Sequence, residues 1–244
     1  MTIAAGPLGD VEIRILSTPD ELTEVNGVLQ EVWGTPVPLA PLEFLIAIAH
    51  TGGYVSGAFV DDTMVGASVG MLARHHGAAA LHSHVTGLVA QMRGTGLGRA
   101  IKLHQRAWAI DHDLRWITWT FDPLVRRNAW FNIAVLGATI DEYLPSFYGT
   151  MKDAINAGDE SDRLLAAWDV GTELRPLAVD GTTVAGDVEL VGTAEDIVEL
   201  RRVDPDAAMA WRVRTRDALT TALDAGRAII GFTRDGDYVI GSAP

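Results

Sequence analysis

The spacing of apolar positions changes along the chain, and each change marks a predicted element. After a loose start, Val11 to Leu16 alternates apolar with polar and predicts a strand. Thr18, Pro19 and Glu21 then predict a helix start: Thr18 as N-cap, Pro19 at the first helical position and Glu21 closing a capping box. This helix is expected to reach Trp33, where Gly34, Pro36 and Pro38 break it; Pro41 opens a second helix that ends near Thr51, Gly52 and Gly53. Tyr54 to Val60 and Met64 to Ala73 read as a hairpin turned at Asp61 and Asp62, the second strand rich in small residues, as a strand beneath a ligand would be. His75, His76 and Gly77 make a turn, and Ala79 to Val89 predicts the next strand.

From Thr95 or Gly96 the period changes to that of a helix, with Leu97, Ile101, Leu103, Ala107, Trp108 and Ile110 apolar, Arg99, Lys102 and Arg106 on the other side, and a stop near His112 and Asp113. Arg115 to Phe121 alternates as a strand, with Trp116 and Thr118 on one face and Trp119 and Phe121 nearer the other only if a bulge intervenes. An ordered loop is predicted from Tyr143 to Asp162, and a strand from Arg163 to Val170. Beyond Gly171 come strand pieces between Thr182 and Val191, a helix from Asp204 to Ala225 and a hairpin from Ile229 to Ile240 through Asp235 and Gly236. The pattern is α/β (α+β), with residues 11–170 expected as one domain and 171–244 as a C-terminal extension packed on it.

Composition narrows the function classes. The chain has 244 residues and no cysteine, which excludes disulfides, zinc ribbons and cysteine nucleophiles and points to a reducing, cytoplasmic compartment. No apolar run approaches the ~20 residues that span a bilayer. A net charge of −13 opposes nonspecific binding to nucleic acid or to an anionic membrane.

Against that charge, the turn before the long helix is anomalous. Arg93, Arg99, Lys102 and Arg106 cluster there, and no acidic residue lies between Gln91 and Asp111. Gly94, Gly96 and Gly98 alternate, so the backbone can take positive φ and leave amide N–H groups open to a ligand. The free amides and dipole of the following helix favour an anion. The Lys-Ser/Thr ending of a nucleotide P-loop is absent, and the glycine spacing is not that of a dinucleotide fingerprint.

The stretch from Gln91 through Arg93 and Gly94 to Gly96 matches the Gln/Arg-x-x-Gly-x-Gly/Ala signature of the GCN5-related N-acetyltransferases (GNATs), and the order of elements from Val11 to Val170 is similar to that family's. The resemblance implies a mixed sheet flanked by helices, and a site for acetyl-CoA or another acyl-CoA along Arg93, Gly94, Thr95, Gly96, Leu97, Gly98 and Arg99. It also implies backbone pairing of Leu88 and Val89 with the pantetheine arm, an oxyanion donor there, and a contact from Asn128, for which a helix N-cap is the alternative role. No metal is implied.

For the chemistry, His82 and His84 lie two apart on one strand face and titrate near neutrality, which suits a base for an attacking amine. Tyr148 is a candidate acid for the departing thiolate, with Tyr143 as an alternative. Arg126 and Arg127 are candidates for a carboxylate or the adenosine 3′-phosphate, and Asp122 for the amine or for a cap. The resulting expectation is direct acyl transfer to a small-molecule amine. A non-catalytic acyl-CoA sensor or scaffold is the alternative, and a homodimer is left open.

Overall fold

The computed structural model describes residues 2–6, 9–149, 159–173, 178–179 and 187–242. Two compact units emerge: residues 1–118 with 169–171, and residues 119–168 with 172–244.

The first unit opens with β1 (Thr2–Gly6), which pairs antiparallel with β2 (Gly9–Ile15), so the expected loose start is a strand. Helix α1 (Pro19–Trp33) begins as its sequence predicts. Thr18 and Glu21 exchange the two bonds of a capping box, and Gly34 closes the helix in the left-handed region at φ 61°. Helix α2 (Leu42–His50) follows, then β3 (Tyr54–Val60), β4 (Thr63–His75), β5 (Ala78–Leu88), helix α3 (Leu97–Asp111) and the first residues of β6 (Trp116–Phe121). The strand order is β1-β2-β3-β4-β5-β6, antiparallel up to β5 and parallel between β5 and β6. Leu22, Val25 and Leu29 of α1 and Leu45 of α2 close a core with Ile13, Val55, Val69 and Ile101.

Small residues in β4 answer to neighbouring side chains as much as to any ligand. A Cβ on Gly66 would stand 2.5 Å from Leu88 Cδ2. Strand β5 carries a bulge: Gly70 faces Ser83 and Val69 faces Val85, leaving His84 as the extra residue. The bulge resets the alternation, so Ser83 and Thr86, three apart, both join a polar cluster with α3.

In the second unit, the end of β6 is followed by a short helix α4 (Arg126–Ala129), which passes into a π-helical turn (Trp130–Val135). The strand order is β6-β8-β7, with β7 (Thr139–Leu144) antiparallel to β8 (Arg163–Asp169). No bulge in β6 is needed. Ile117, Trp119 and Phe121 share one parity and are all buried, while on the other Thr118 is buried between half-buried Trp116 and Thr120. Tyr143 lies in β7, not in a loop; residues 150–158 of the expected loop fall outside the described residues.

The C-terminal sheet runs β10-β12-β11-β9, from β9 (Ala178–Val179), β10 (Glu189–Gly192), β11 (Arg227–Thr233) and β12 (Asp237–Ser242). The hairpin β11–β12 and helix α6 (Pro205–Asp224) follow the sequence pattern, but α5 (Ile197–Val203) had no predicted counterpart. Residues 182–186 of the expected strand pieces lie outside the described residues. Ile197 and Ala208 pack with Leu124, Val125 and Ala194 in a core of their own.

Candidate functional site

The turn between β5 and α3 has the geometry its glycines suggest. Gly94 and Gly96 take φ of 78° and 91°, a region costly for a side chain, and a Cβ at either would meet nothing within 4 Å. Gly96 is the N-cap of α3. The Thr95 hydroxyl donates to the Met92 carbonyl at 2.8 Å and accepts weakly from the Leu97 amide at 3.4 Å. Among the described residues, the amides of Gly94, Thr95, Gly96, Gly98 and Arg99 donate to nothing. They make an open cluster of donors at the positive end of a fifteen-residue helix, with the Arg93 and Arg99 side chains exposed beside it. That cluster fits a pyrophosphate.

Four expectations about this region need correction. Lys102 is not part of the cationic cluster: it is buried against the sheet, its Nζ donates to Ser83 Oγ at 2.9 Å, and burial pushes its pKa down to about 7. Gln105 lies inside with it, donating to Ser68 and Ser83, whereas Ala107 and Ile110 are exposed. The inner face of α3 is therefore partly polar, which a purely apolar period misreads. Val89 does not supply a free amide, because its N–H donates to Val65 at 3.0 Å and its carbonyl accepts from Met92 at 3.0 Å. Leu97 contributes a core side chain, 5% exposed, and its amide faces Thr95.

Strand β5 pairs with β4 along its length, but its register with β6 covers only Ala80, Leu81 and His82. Beyond His82, among the described residues, that edge of β5 has no ladder through Leu88. His82 stands where the pairing stops. Its Nδ1 lies 3.0 Å from Thr118 Oγ1, its ring centroid 6.5 Å from that of His84, and it is half-buried. Burial, then the charges of His84 and Lys102, lower its pKa below the usual histidine value, and burial lowers that of His84 as well. Neutral imidazole therefore predominates on His82 at pH 7. With a proton on Nδ1 held by Thr118, the Nε2 lone pair is the basic one. Thr118 was missed in the sequence; a threonine facing a histidine across a parallel pair leaves no local signal.

The remaining predicted residues belong to the second unit. Asn128 is inside α4, and Val125 is the N-cap, so the capping role fails for Asn128. Its half-buried side chain has no hydrogen-bond partner among the described residues. Tyr148 sits in the turn after β7, its hydroxyl 3.2 Å from Thr120 Oγ1 and the Arg163 guanidinium 5.4 Å from its ring centre. Tyr143 is buried and donates to Asp162 at 2.6 Å; burial, then Asp162, raises its pKa well beyond the usual phenol value, so it is a poor proton donor. Asp122 cannot hold a substrate amine. It accepts from the Leu124 amide at 2.9 Å and from Arg201 and Arg212 at 2.5 and 3.2 Å. Arg126 is also engaged, on Thr193. A groove of about 910 Å³ runs along α6 past Val213, Asp217 and Arg227; it holds none of the predicted residues.

Comparison with solved structures finds one fold repeatedly. An acetyltransferase of the GNAT family from Desulfovibrio desulfuricans is 17% identical, with TM-score 0.52, over 66% of this chain and 99% of its own. For yncA from Salmonella typhimurium, solved with acetyl-CoA, the values are 13%, 0.53, 68% and 97%. For the ribosomal-protein-S18-alanine N-acetyltransferase of Escherichia coli they are 13%, 0.51, 67% and 96%. No protein-family model matches the chain, and no curated protein matches it in sequence. The chain has the GNAT fold: a mixed, mostly antiparallel sheet flanked by helices, with a further C-terminal sheet.

Proposed function

We propose that the protein is an acyl-CoA-dependent N-acyltransferase that moves an acetyl or other short acyl group directly to the amine of a small molecule. The observation that carries this is the set of amides of Gly94, Thr95, Gly96, Gly98 and Arg99 at the start of α3, unengaged among the described residues, where Arg93 and Arg99 add positive charge to an otherwise acidic chain. A pyrophosphate needs this combination of donors and charge. The solved structures with acetyl-CoA or a coenzyme A bisubstrate analogue support the same reading by fold. Residues 11–170 are proposed as the acyltransferase domain and 171–244 as its extension; the solved relatives span about two thirds of the chain, in keeping with that division.

In the proposed reaction His82 Nε2 takes a proton from the amine as its nitrogen attacks the thioester carbonyl. Backbone amides along the open edge of β5 are the proposed donors to the developing oxyanion. When the C–S bond breaks, the sulfur keeps the bonding pair, and Tyr148 is proposed to give it a proton. Asn128 is proposed as a pantetheine contact.

Calorimetry with acetyl-CoA and succinyl-CoA tests the reading. Binding of at least one is expected, with loss in Gly96→Trp; absence of binding by both, or a Gly96→Trp variant that binds as well as the parent, refutes the cofactor assignment. A sensor without turnover would bind the thioester and release no thiol over a panel of amines, and His82→Ala with His84→Ala would then alter no rate.

A further inference from the structure

The C-terminal extension carries a row of arginines aimed at the polypeptide next to Tyr148. The turn after β7 is pinned by Ser161 and Asp162. The Phe147 amide donates to the Ser161 carbonyl at 3.1 Å and the Tyr148 amide to Ser161 Oγ at 2.8 Å. Ser161 Oγ donates to the Gly149 carbonyl at 2.6 Å, and the Ser146 amide donates to Asp162 Oδ1 at 2.9 Å. Ser146 holds φ of 47°, a conformation that serine rarely adopts without such support.

Asp162 is fully buried, and α6 neutralises it. Arg216 donates to it through Nε at 2.9 Å and through a second nitrogen at 2.7 Å, and also pairs with Glu160. One turn earlier, Arg212 bridges Asp122 and Asp159, and Arg201 of α5 bridges the same two carboxylates, closing a ring of four charges. Burial alone would raise the Asp162 pKa, but Arg216, Tyr143 and the Ser146 amide outweigh it and hold the carboxyl below its usual range. Asp162 is thus a charged hub whose oxygens bond the turn on one side and the extension on the other.

We infer that Arg216 and Asp162 are positioning residues through which the C-terminal extension fixes the Tyr148 turn for proton donation to the departing thiolate. This rests on the acyltransferase reading. Arg216 never touches substrate in this scheme; it acts on Asp162, which orients the turn, and the phenol regains its proton from solvent after each cycle.

The test is a double-mutant cycle with an exchange measurement. Tyr148→Phe is expected to lower kcat about a hundredfold and Arg216→Ala about tenfold, both with KM for acyl-CoA unchanged. Arg216→Ala in the Tyr148→Phe background should add nothing, because its effect passes through the phenol. Arg216→Lys, which keeps the charge and loses the fork, should recover part of kcat. Equal losses from Arg216→Ala in both backgrounds, or a wild-type kcat in Arg216→Ala, overturn the inference. Hydrogen exchange of the 143–149 peptide is read in the same variants: Arg216→Ala should speed it, leaving the 94–99 amides unaffected. Unchanged exchange at 143–149 overturns the inference whether or not any amine is acylated. A protein that shows the faster exchange and no thiol release would refute the acyltransferase reading separately.

Discussion

Lys102 shows how a single residue can mislead a reading of charge. In the sequence it belongs with Arg93 and Arg99; in the fold it points inward, where α3 meets Ser83, and only its helical phase relative to Ile101 and Gln105 separates the two cases. A folded-state pKa of about 7, against ~10.4 in an unfolded chain, means that the unfolded protein binds more protons between those values. Stability therefore rises with pH from about 7 toward 10.4, by up to roughly 1.4 kcal/mol per unit. Urea midpoints across that range should climb in the parent, and Lys102→Met should flatten this climb. The same charge lowers the His82 pKa, so the acid limb of kcat/KM is expected below pH 6.5 in the parent and higher in Lys102→Met. An acid limb that does not move would separate Lys102 from His82.

At the scale of elements, the capped helix α1, the β3–β4 hairpin and the glycine turn before α3 were legible, because each is written in local chemistry: a Thr18–Glu21 box, an Asp61–Asp62 turn, alternating glycines. The bulge at His84 and the helix α5 were not. A bulge is set by what β4 offers opposite β5, and α5, seven residues long, is capped by Asp196 but has too few turns to show a period. The glycine turn makes its own prediction. Gly94→Ala and Gly96→Ala should each cost about 1 kcal/mol through the left-handed backbone they force on alanine. Because open space surrounds both positions, the added methyl enters the ligand's side and should weaken acyl-CoA binding further; calorimetry and denaturation on the same variants separate the two effects.

The whole molecule divides into two units, and within the second the charge pairs differ in worth. Arg212 is fully buried between Asp122 and Asp159, and although burial opposes its charge, those partners raise its pKa. Arg212→Ala leaves the buried Asp122 and Asp159 to share Arg201 alone and should cost roughly 3 kcal/mol, with hydrogen exchange rising first in the described residues of 119–168 and 172–244. Arg202→Ala, which removes an exposed pair with Glu199, should leave the denaturation midpoint unchanged. None of this was readable in advance: Asp122 and Arg212 are ninety positions apart, and nothing local to either announces the other. That separation bears on the order of synthesis. Asp122 leaves the ribosome long before α6 is translated, so a nascent chain holds a carboxylate destined for the interior without its counter-ion. The second unit cannot close until α6 has emerged, and any premature stop upstream of Arg216 leaves a chain for quality control to remove.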